Sequence, residues 1–477
     1  MKKAKMALWA IAMIVFAAML FRSVMFCLEN KGAHNRNGDF FRVADECDVL
    51  FLGTSHMATE VLPLELWHDY GITSYNIAGL GQLMPVSYWM LINALDYANP
   101  KVVLVDCYAI EADAVANDGE FMHMSMDGLP LTKTKIRAVC DLYDDMDRRI
   151  EYLWNFSIYH NRWDELTWKD FDSRYDNMRG AQFQVALCEP APFILRDVEP
   201  EPVDSVGVEY LRKIMEECRR RDIKVVLTYL PFPANESEQK VAAYVGQFAQ
   251  EYGVDYLNFL KLNVVDFKTD CLDANSHLNI SGGHKITSYI GKYLSEECGI
   301  VNRRQDGIVD WDEDYAGYQR YKVERLQGLE SLQNSLIMMA DKSFSLCLYV
   351  DGESKIWDYE QYVNLVQNLA PEYAFPTLGE IMGQGVDYLL LLDNKNRVIK
   401  EFGGEESGET ETSFGKVVYT KTEAGERVLY LGGSEENLLV EEDENGHKLT
   451  VQTILIDHSD GSIINLQKFQ ETLKATK

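Results

Sequence analysis

Short apolar runs recur through the first 300 residues of this chain, and they constrain its fold more than any other feature. Three of them are almost continuous stretches of Val, Leu, Ile and Phe, a composition typical of strands that are buried on both faces of a parallel sheet. The candidate strands are Asp48–Thr54, Ser74–Ala78, Lys101–Tyr108, Lys224–Leu230 and Val254–Phe259.

Amphipathic stretches between and after these strands predict helices over Pro85–Tyr97, Val208–Arg221, Glu236–Tyr252 and Ser281–Glu297. This alternation predicts a doubly wound, flavodoxin-like α/β domain with a parallel sheet over residues 29–300. Residues 109–205 interrupt it with Trp- and Tyr-rich helical segments. A helical insertion after a central strand is expected above the carboxyl edge of the sheet, where the sites of α/β proteins lie.

The character of the sequence changes near residue 300. A charged and aromatic stretch and a helical run up to Ala340 precede strand-like runs, which Gly- and Glu-rich turns such as Gly403–Gly408 separate. The final segment, 449–468, predicts two strands joined by an Asp-Gly turn. We therefore predict a smaller α+β accessory domain over residues 301–477. Its strand-like runs are Phe344–Val350, Val386–Leu392, Lys416–Thr420, Arg427–Leu431 and Leu449–Ile456.

The N-terminus carries a long apolar segment. Met6 to Leu28 contains a single charged residue, Arg22, and would extend roughly 35 Å as a helix, against a hydrocarbon core of ~30 Å. Lysines at positions 2, 3 and 5 favour a cytoplasmic N-terminus. We predict a single-pass transmembrane anchor over residues 1–28 and an extracytoplasmic body on a bacterial cell membrane. A cleaved signal peptide and a buried core helix are the alternatives.

Charge and cysteine content exclude several classes of protein. The chain of 477 residues has a formal charge of −29, which repels phosphate backbones, so we expect no nucleic-acid partner. The nine cysteines are scattered without a CxxC pair, and so predict neither a zinc site nor a dense disulfide framework. Because the sequence also lacks nucleotide- and metal-binding motifs, we predict no metal and no cofactor.

A serine follows the first candidate strand. In 48-DVLFLGTSHM-57 the strand ends in Gly53-Thr54-Ser55, which would place Ser55 on the carboxyl edge of the sheet. A nucleophilic serine can occupy such a position, but a phosphate loop or an ordinary helix cap follows the same pattern. His56, beside it, is expected to be structural.

An acid and a histidine share one loop after the last candidate strand, in 270-DCLDANSHLNISGG-283. Asp273 could hydrogen-bond Nδ1 of His277 and so fix the tautomer that leaves Nε2 to deprotonate Ser55. The alternative is an ordinary surface histidine. Because Ser55 and this loop are both expected at the carboxyl edge of the sheet, we predict that they act together.

These motifs, in this order, resemble those of the SGNH/GDSL hydrolases over roughly residues 40–300. The closer similarity is to the membrane-anchored, extracytoplasmic branch, which includes the alginate O-acetylation proteins and the protein that completes D-alanylation of teichoic acids. The resemblance implies that Ser55 is the nucleophile, His277 the base and Asp273 the orienting acid. The family spacing is D-x-x-H, whereas this chain has D-x-x-x-H from Asp273 to His277; Asp270 is the less favoured alternative to Asp273.

The same resemblance implies an oxyanion hole. The N–H groups of Ser55 and of Gly79, in 76-NIAGLGQ-82, would form it, with Gly81 as the alternative to Gly79. The third-block asparagine of the family has no clear counterpart, because the third candidate strand ends in DCY. Gln82 is the expected third donor and Asn161 its alternative. In other enzymes the loss of one such donor costs roughly 10²–10³ in rate.

Within the insertion, 159-YHNRW-163 resembles a segment of Gram-positive members of this branch. It predicts a surface for a sugar or an anionic polymer, formed by His160, Asn161, Arg162 and Trp163. Trp163 would stack on the ligand and Arg162 would pair with its charge. The alternative is a capped helix that tryptophan packs.

The sequence therefore predicts an SGNH-like serine acyl esterase or O-acyltransferase that modifies a cell-surface polysaccharide through an acyl-serine intermediate. The expected partners are the glycan, neutral or zwitterionic because the protein is acidic, and a membrane-bound O-acyltransferase that supplies acyl groups. The alternative is a catalytically degenerate SGNH-fold protein that binds glycan or acts as a scaffold of a cell-envelope assembly. Whether the acyl group passes to water or to a sugar stays open.

Overall fold

The computed structural model describes residues 2–29, 37–117, 119–154, 156–171, 178–274, 276–458 and 461–470. Its α-helices are α1 (Lys2–Leu28), α2 (Phe40–Val43), α3 (Ser55–Glu60), α4 (Pro63–Tyr70), α5 (Met84–Ala94), α6 (Glu120–Met126), α7 (Lys133–Leu142), α8 (Met146–Leu153), α9 (Phe156–Tyr159), α10 (Val206–Arg220), α11 (Glu236–Tyr252), α12 (Phe259–Leu262), α13 (Phe267–Asp270), α14 (Ile280–Glu296), α15 (Val309–Gln327), α16 (Leu332–Ile337), α17 (Glu360–Asn368) and α18 (Pro376–Ile381).

The strands are β1 (Val49–Leu52), β2 (Ser74–Asn76), β3 (Val102–Asp106), β4 (Lys224–Tyr229), β5 (Asp255–Asn258), β6 (Phe344–Val350), β7 (Tyr388–Asp393), β8 (Val398–Gly403), β9 (Gly408–Thr412), β10 (Gly415–Lys421), β11 (Arg427–Leu431), β12 (Leu449–Asp457) and β13 (Ile463–Gln470). Short 3-10 turns cover Ala44–Glu46, Tyr108–Glu111, Arg162–Asp164, Trp168–Phe171, Met338–Ala340 and Ile356–Asp358.

A five-stranded sheet organises the first of two compact units, which comprises Met1–Gln182, Phe193–Val264 and Ile286–Tyr318. The strand order is β2-β1-β3-β4-β5, and every neighbouring pair is parallel. In the register, Val49 lies opposite both Ser74 and Val102. All residues of β1 and β3 are buried, because their Val, Leu and Phe side chains pack on both faces of the sheet. The predicted parallel sheet is confirmed.

Local sequence explains where the helices of this unit begin and end. Asn235 caps α11 through a reciprocal capping box with Glu238, and Gly253 ends that helix in the left-handed conformation. Ser205 accepts a hydrogen bond from the Val208 N–H and so caps α10. The predicted helices correspond to α5, α10, α11 and α14 with nearly the predicted bounds.

The insertion is helical only in its first half. Its described residues up to Phe171 contain helices α6 to α9 and three 3-10 turns, the first of which begins at Tyr108. From Met178 to Asp204 the described backbone forms neither helix nor strand. The predicted helical segments are therefore confirmed for the part that contains 151-EYLWNFSIYHNRWDEL-166, apart from Asn155, which lies outside the described residues.

Helix α1 contains an apolar span, Ala4–Leu28, that is long and apolar enough to cross a membrane, as a signal sequence also is. Most of its described side chains are exposed, but two residues of the last turn are buried. Met25 and Leu28 are 4 % and 0 % exposed, so the carboxyl end of α1 packs within the first unit.

The second compact unit comprises Phe183–Pro192, Val265–Lys285 and Gln319–Lys477. It contains an antiparallel sheet of order β13-β12-β6-β7-β8 and a three-stranded antiparallel sheet of order β11-β10-β9. Side chains from both sheets share one hydrophobic cluster, which includes Tyr349, Leu391, Tyr419 and Leu429. The strand-like runs predicted after residue 301 match β6, β7, β10, β11 and β12. The edge strand β8 and strand β9 were not predicted, because β8 mixes apolar with charged residues, β9 is polar, and most residues of both are exposed or partly exposed.

Two segments that precede residue 300, 183–192 and 265–285, belong to the second unit. The Cys188 N–H donates to the Cys271 carbonyl at 3.1 Å, and the Ala191 N–H donates to the Ala274 carbonyl at 2.7 Å. These bonds pair 183–192 with the loop that contains His277. The sequence placed a single domain limit at residue 300; by packing, 301–318 belong to the first unit, whereas 183–192 and 265–285 belong to the second.

Candidate functional site

Ser55 is the first residue of α3 and follows β1 after a sharp bend. The bend requires glycine at position 53, because Gly53 has a φ of +149° and a Cβ there would lie 2.7 Å from the Cβ of Asp106. Thr54 is buried and extended, whereas Ser55 is half-exposed. Ser55 thus lies at the carboxyl end of a central strand, as predicted. Its backbone N–H belongs to the first turn of α3, and the N–H groups of a first turn have no acceptor within their own helix.

His56 is a buried packing residue. Its ring lies 4.1 Å from the ring of Tyr108 and 5.3 Å from the ring of Phe232, measured between centroids. Its Nδ1 is 3.2 Å from the hydroxyl of Thr54. These contacts agree with the structural role expected for this histidine.

Gly79, a predicted oxyanion donor, already has a hydrogen-bond acceptor for its N–H. The Gly79 N–H donates to the Gly53 carbonyl at 3.2 Å. A side chain at position 79 would overlap Ser125 and Gln82, so this position needs glycine for packing. Gly81, the alternative, has a φ of +60°, which suits glycine.

Gln82 corrects the sequence prediction. Its side chain is completely buried, and its Nε2 donates to the Ile77 carbonyl at 3.2 Å and to the Ser87 hydroxyl at 3.1 Å. Its Oε1 accepts from the Ser125 hydroxyl at 2.8 Å. Because an amide nitrogen carries only two hydrogens, these contacts leave no side-chain donor for an oxyanion. Gln82 holds the loop after β2 in place.

Asp106 is a polar residue that sequence reasoning did not assign to the site. It ends β3, is completely buried, and accepts a hydrogen bond from the Leu230 N–H through Oδ1 at 3.2 Å, while Oδ2 has no partner among the described residues. Burial raises the pKa of this carboxyl to about 7, although backbone N–H groups that include Leu230 act in the opposite direction. The sequence did contain a sign of this residue, because an acid that ends a Val-rich, buried strand is expected at the edge of the sheet where sites lie.

Asp273 and His277 belong to the second unit, whereas Ser55 belongs to the first, so the pair is described within its own unit. Asp273 Oδ2 is 2.6 Å from Nδ1 of His277. Asp273 Oδ1 accepts from the backbone N–H groups of Ser276 and His277 at 2.7 and 3.3 Å. The carboxylate therefore fixes Nδ1 as the protonated ring nitrogen, which leaves the lone pair on Nε2. The loop accommodates the D-x-x-x-H spacing because the backbone turns around Asp273.

Asp270 serves a different purpose. It is completely buried, and Lys285 Nζ lies 2.9 and 2.7 Å from its two oxygens. Ser281 donates to Oδ1 at 2.8 Å and the Asp266 N–H donates to Oδ2 at 2.8 Å. These bonds join α13 to the start of α14 and hold the base of the loop. Asp270 is therefore an unsuitable substitute for Asp273 as the partner of His277.

Asn279 also helps to fix the base of this loop. Its Oδ1 accepts from the N–H groups of Ser281 and Gly282 at 3.0 and 3.3 Å, and so caps the first turn of α14. Its own N–H donates to the Asp270 carbonyl at 2.7 Å. The segment that follows His277 is thus fixed by backbone and side-chain hydrogen bonds together.

In the insertion, Arg162 also departs from its predicted role. Its Nη1 donates to the Leu28 carbonyl at 2.6 Å, and its Nε and Nη2 donate to Glu165 and Asp170 at 3.1 and 3.3 Å. The guanidinium joins the end of α1 to the insertion and is already paired with acids, which argues against a site for an anionic polymer. Asn161 precedes the 3-10 turn Arg162–Asp164 and is exposed.

The neighbouring predicted residues lie on the surface. Trp163 is 60 % exposed, so its indole is not packed into a core. His160 is exposed, and its Nδ1 is 3.0 Å from the carbonyl of Phe156. Across the described residues, no group of His, Cys, Asp and Glu side chains is arranged to hold a metal ion.

Comparison with protein-family models and with curated proteins finds no match to this chain.

Proposed function

We propose that the protein is an extracytoplasmic SGNH-like serine acyl esterase or O-acyltransferase that modifies a cell-surface polysaccharide. The observation that carries the proposal is the hydrogen bond between Asp273 and His277, because it orients an imidazole as a general base. The serine that the SGNH resemblance pairs with it, Ser55, begins a helix directly after β1.

In the proposed reaction, Ser55 Oγ attacks the carbonyl carbon of an acyl ester while His277 Nε2 takes the hydroxyl proton. The tetrahedral intermediate then expels the alcohol, which receives that proton from the imidazolium, and acyl-Ser55 remains. Water or a sugar hydroxyl attacks the acyl-serine in the second half, with His277 again acting as base. Asp273 stabilises the imidazolium in both halves without becoming protonated.

The finer fold assignment is part of the proposal. A doubly wound SGNH-type sheet is supported by the strand order β2-β1-β3-β4-β5 with parallel pairing throughout, which is the flavodoxin-like order. The serine after β1 lies where such folds carry functional residues, at the carboxyl ends of the strands. The oxyanion hole would use the Ser55 N–H together with Gly79 or Gly81. For Gly79 to contribute, its N–H would have to release the Gly53 carbonyl.

We further propose that α1 is a retained anchor with a cytoplasmic N-terminus. The burial of Met25 and Leu28 supports retention, because cleavage in this last turn would remove or free side chains that pack within the first unit. Lys2, Lys3 and Lys5 support the orientation. The body is more acidic than the whole chain with its charge of −29, because residues 1–28 contain basic and no acidic side chains; it would then face outward and act on a neutral or zwitterionic glycan. A membrane-bound O-acyltransferase is the proposed source of acyl groups.

The alternative is a degenerate SGNH-fold protein that binds glycan or acts as an envelope scaffold. The hydrogen bonds of Gln82 and Gly79 favour it, because they occupy two of the three donors that an efficient oxyanion hole would need. An esterase whose oxyanion hole lacks donors would hydrolyse esters slowly, whereas a scaffold protein would not hydrolyse them at all.

A p-nitrophenyl acetate burst with the full chain in detergent separates the two functions. We expect the wild type to give a burst of p-nitrophenolate, and Ser55→Ala to abolish it and to lower turnover roughly 10³-fold or more. Ser237→Ala, on the exposed surface of α11, is the matched control and keeps the burst. A full burst from Ser55→Ala would show that Ser55 is not the nucleophile. Equal glycan binding by wild type and Ser55→Ala, with no ester turned over, would establish the alternative.

A further inference from the structure

Exposed aromatic rings are concentrated in one stretch of the insertion, which we call the aromatic rim. Within 18 residues the chain exposes three tryptophans and two phenylalanines by between 37 % and 63 % of their surface. Isolated exposed rings are ordinary, but such a concentration on a soluble surface marks an interaction site. The rim consists of Trp154 (57 %), Phe156 (37 %), Trp163 (60 %), Trp168 (63 %) and Phe171 (62 %).

The rim is continuous with the carboxyl end of α1. The ring centroids of Phe21 and Phe156 are 5.6 Å apart. Arg162, next to Trp163, donates to the Leu28 carbonyl at 2.6 Å. These contacts belong to one compact unit, so the rim and the end of the apolar helix occupy the same part of the molecule.

The position of this contact along α1 corresponds to a membrane interface. If the hydrocarbon core begins near Met6, the ~20 residues needed to cross ~30 Å end near Met25. Phe21 then lies at the outer boundary of the hydrocarbon. The ion pair between Arg22 and Glu29, at 3.7 Å, lies at the level of the headgroups.

We propose that the aromatic rim is a membrane-docking surface that inserts into the headgroup and acyl boundary of the outer leaflet. Tryptophan favours this region, because its ring is apolar and its N–H can still hydrogen-bond to water and headgroups. The recognised lipids are zwitterionic, because the body of the protein is acidic and Arg162 is already paired with Glu165 and Asp170. The surface seats the body against the bilayer in a fixed orientation.

A sugar-binding surface is the competing occupant. Two features favour lipid: phenylalanine, which has no polar group for a sugar, forms part of the rim, and the rim touches the apolar helix itself. The proposal rests on the retained anchor proposed above, but not on the catalytic assignment.

The test uses the full chain in phosphatidylcholine nanodiscs, with acyl chains brominated near the interface, and measures tryptophan emission. The contribution of the rim is the emission lost in the double variant Trp163→Phe with Trp168→Phe, which keeps aromatic side chains at both positions. We expect brominated lipid to quench that contribution at least about twofold relative to ordinary lipid. Trp67→Phe reports a tryptophan of the first unit that is only 1 % exposed and is the matched control, whose contribution stays unquenched because lipid cannot reach a buried ring. Trp9→Phe reports the span.

The outcomes distinguish the anchor from the rim. Quenching at Trp9 without quenching at Trp163 and Trp168 would overturn the docking surface and leave the anchor in place. An unquenched Trp9 would overturn both. A rim whose emission responds to soluble polysaccharide, and not to brominated lipid, would also overturn the proposal and assign the surface to sugar.

Discussion

At the end of β3, the buried residue Asp106 packs beside Gly53, two residues before Ser55, so closely that a Cβ on Gly53 would lie 2.7 Å from the Cβ of Asp106. Burial raises its pKa to about 7, because the charged form loses hydration that the Leu230 N–H only partly replaces. Two single residues therefore constrain the bend between β1 and Ser55. Gly53 does so because the bend needs its backbone conformation, and Asp106 because it packs there and its buried carboxyl changes charge with pH.

The protonation of Asp106 makes stability depend on pH. Its folded pKa is raised from 3.8 to about 7, so its contribution is complete below about pH 4 and is lost as pH rises through 7. We expect the free energy of unfolding of the wild type to fall by roughly 2–4 kcal/mol more than that of Asp106→Asn between pH 4 and pH 8. Denaturant unfolding at several pH values measures the difference. Asp113→Asn, at an exposed position, is the control, and a pH-independent gap between wild type and Asp106→Asn would contradict the assignment.

At the scale of elements, the loop between α13 and α14 contains two acids with different roles. Asp273 contacts the imidazole of His277, whereas Asp270 holds the loop to Lys285 and Ser281. The sequence could offer both residues as candidates, since they are only three positions apart. Only the path of the loop decides which carboxylate meets the ring.

Paired variants separate these two tasks. Asp273→Asn keeps the size of the side chain but changes its hydrogen bonding, so we expect ester turnover to fall roughly 10³–10⁴-fold with little change in melting temperature. Asp270→Asn leaves Lys285 without its carboxylate partner, so we expect a loss of roughly 1–3 kcal/mol in the free energy of unfolding. Turnover assays and thermal melting on both variants test this. Equal effects of the two variants on turnover, at equal stability, would refute the division.

At the scale of the whole molecule, the chain forms two compact units, whose segments alternate along the sequence. The segment with Asp273 and His277 packs with residues 319–477. The Phe183 and Tyr321 rings are 5.5 Å apart, and Nε2 of His284 lies 3.4 Å from a carboxylate oxygen of the buried Asp341. The C-terminal part of the chain therefore supports the loop that carries the proposed base.

A chain truncated after Tyr318 tests this support. Without Tyr321 and Asp341, we expect the amides of 265–285 to exchange at least about tenfold faster, because the loop loses the contacts that keep it closed. The amides of β1 and β3 serve as the internal control, since their sheet lies wholly within the first unit. Unchanged protection of 265–285 would show that the loop is stable without the rest of its unit.

The sequence by itself determined the parallel sheet, most strands of the second unit and the apolar N-terminal helix. Their hydrophobic patterns are local and need no knowledge of distant partners. It also found Ser55, Asp273 and His277 as candidates. Strands β8 and β9, most of whose residues are exposed or partly exposed, were not predicted, because backbone pairing rather than a continuous apolar run makes them strands.

Only the tertiary structure decided how polar groups are used. Gln82 donates both amide hydrogens to a backbone carbonyl and a serine hydroxyl. The guanidinium of Arg162 donates to Leu28, Glu165 and Asp170. A donor is available to a ligand only when no nearer acceptor takes it, and those acceptors come from distant parts of the chain. The packing of 265–285 with residues beyond 318 is non-local in the same sense.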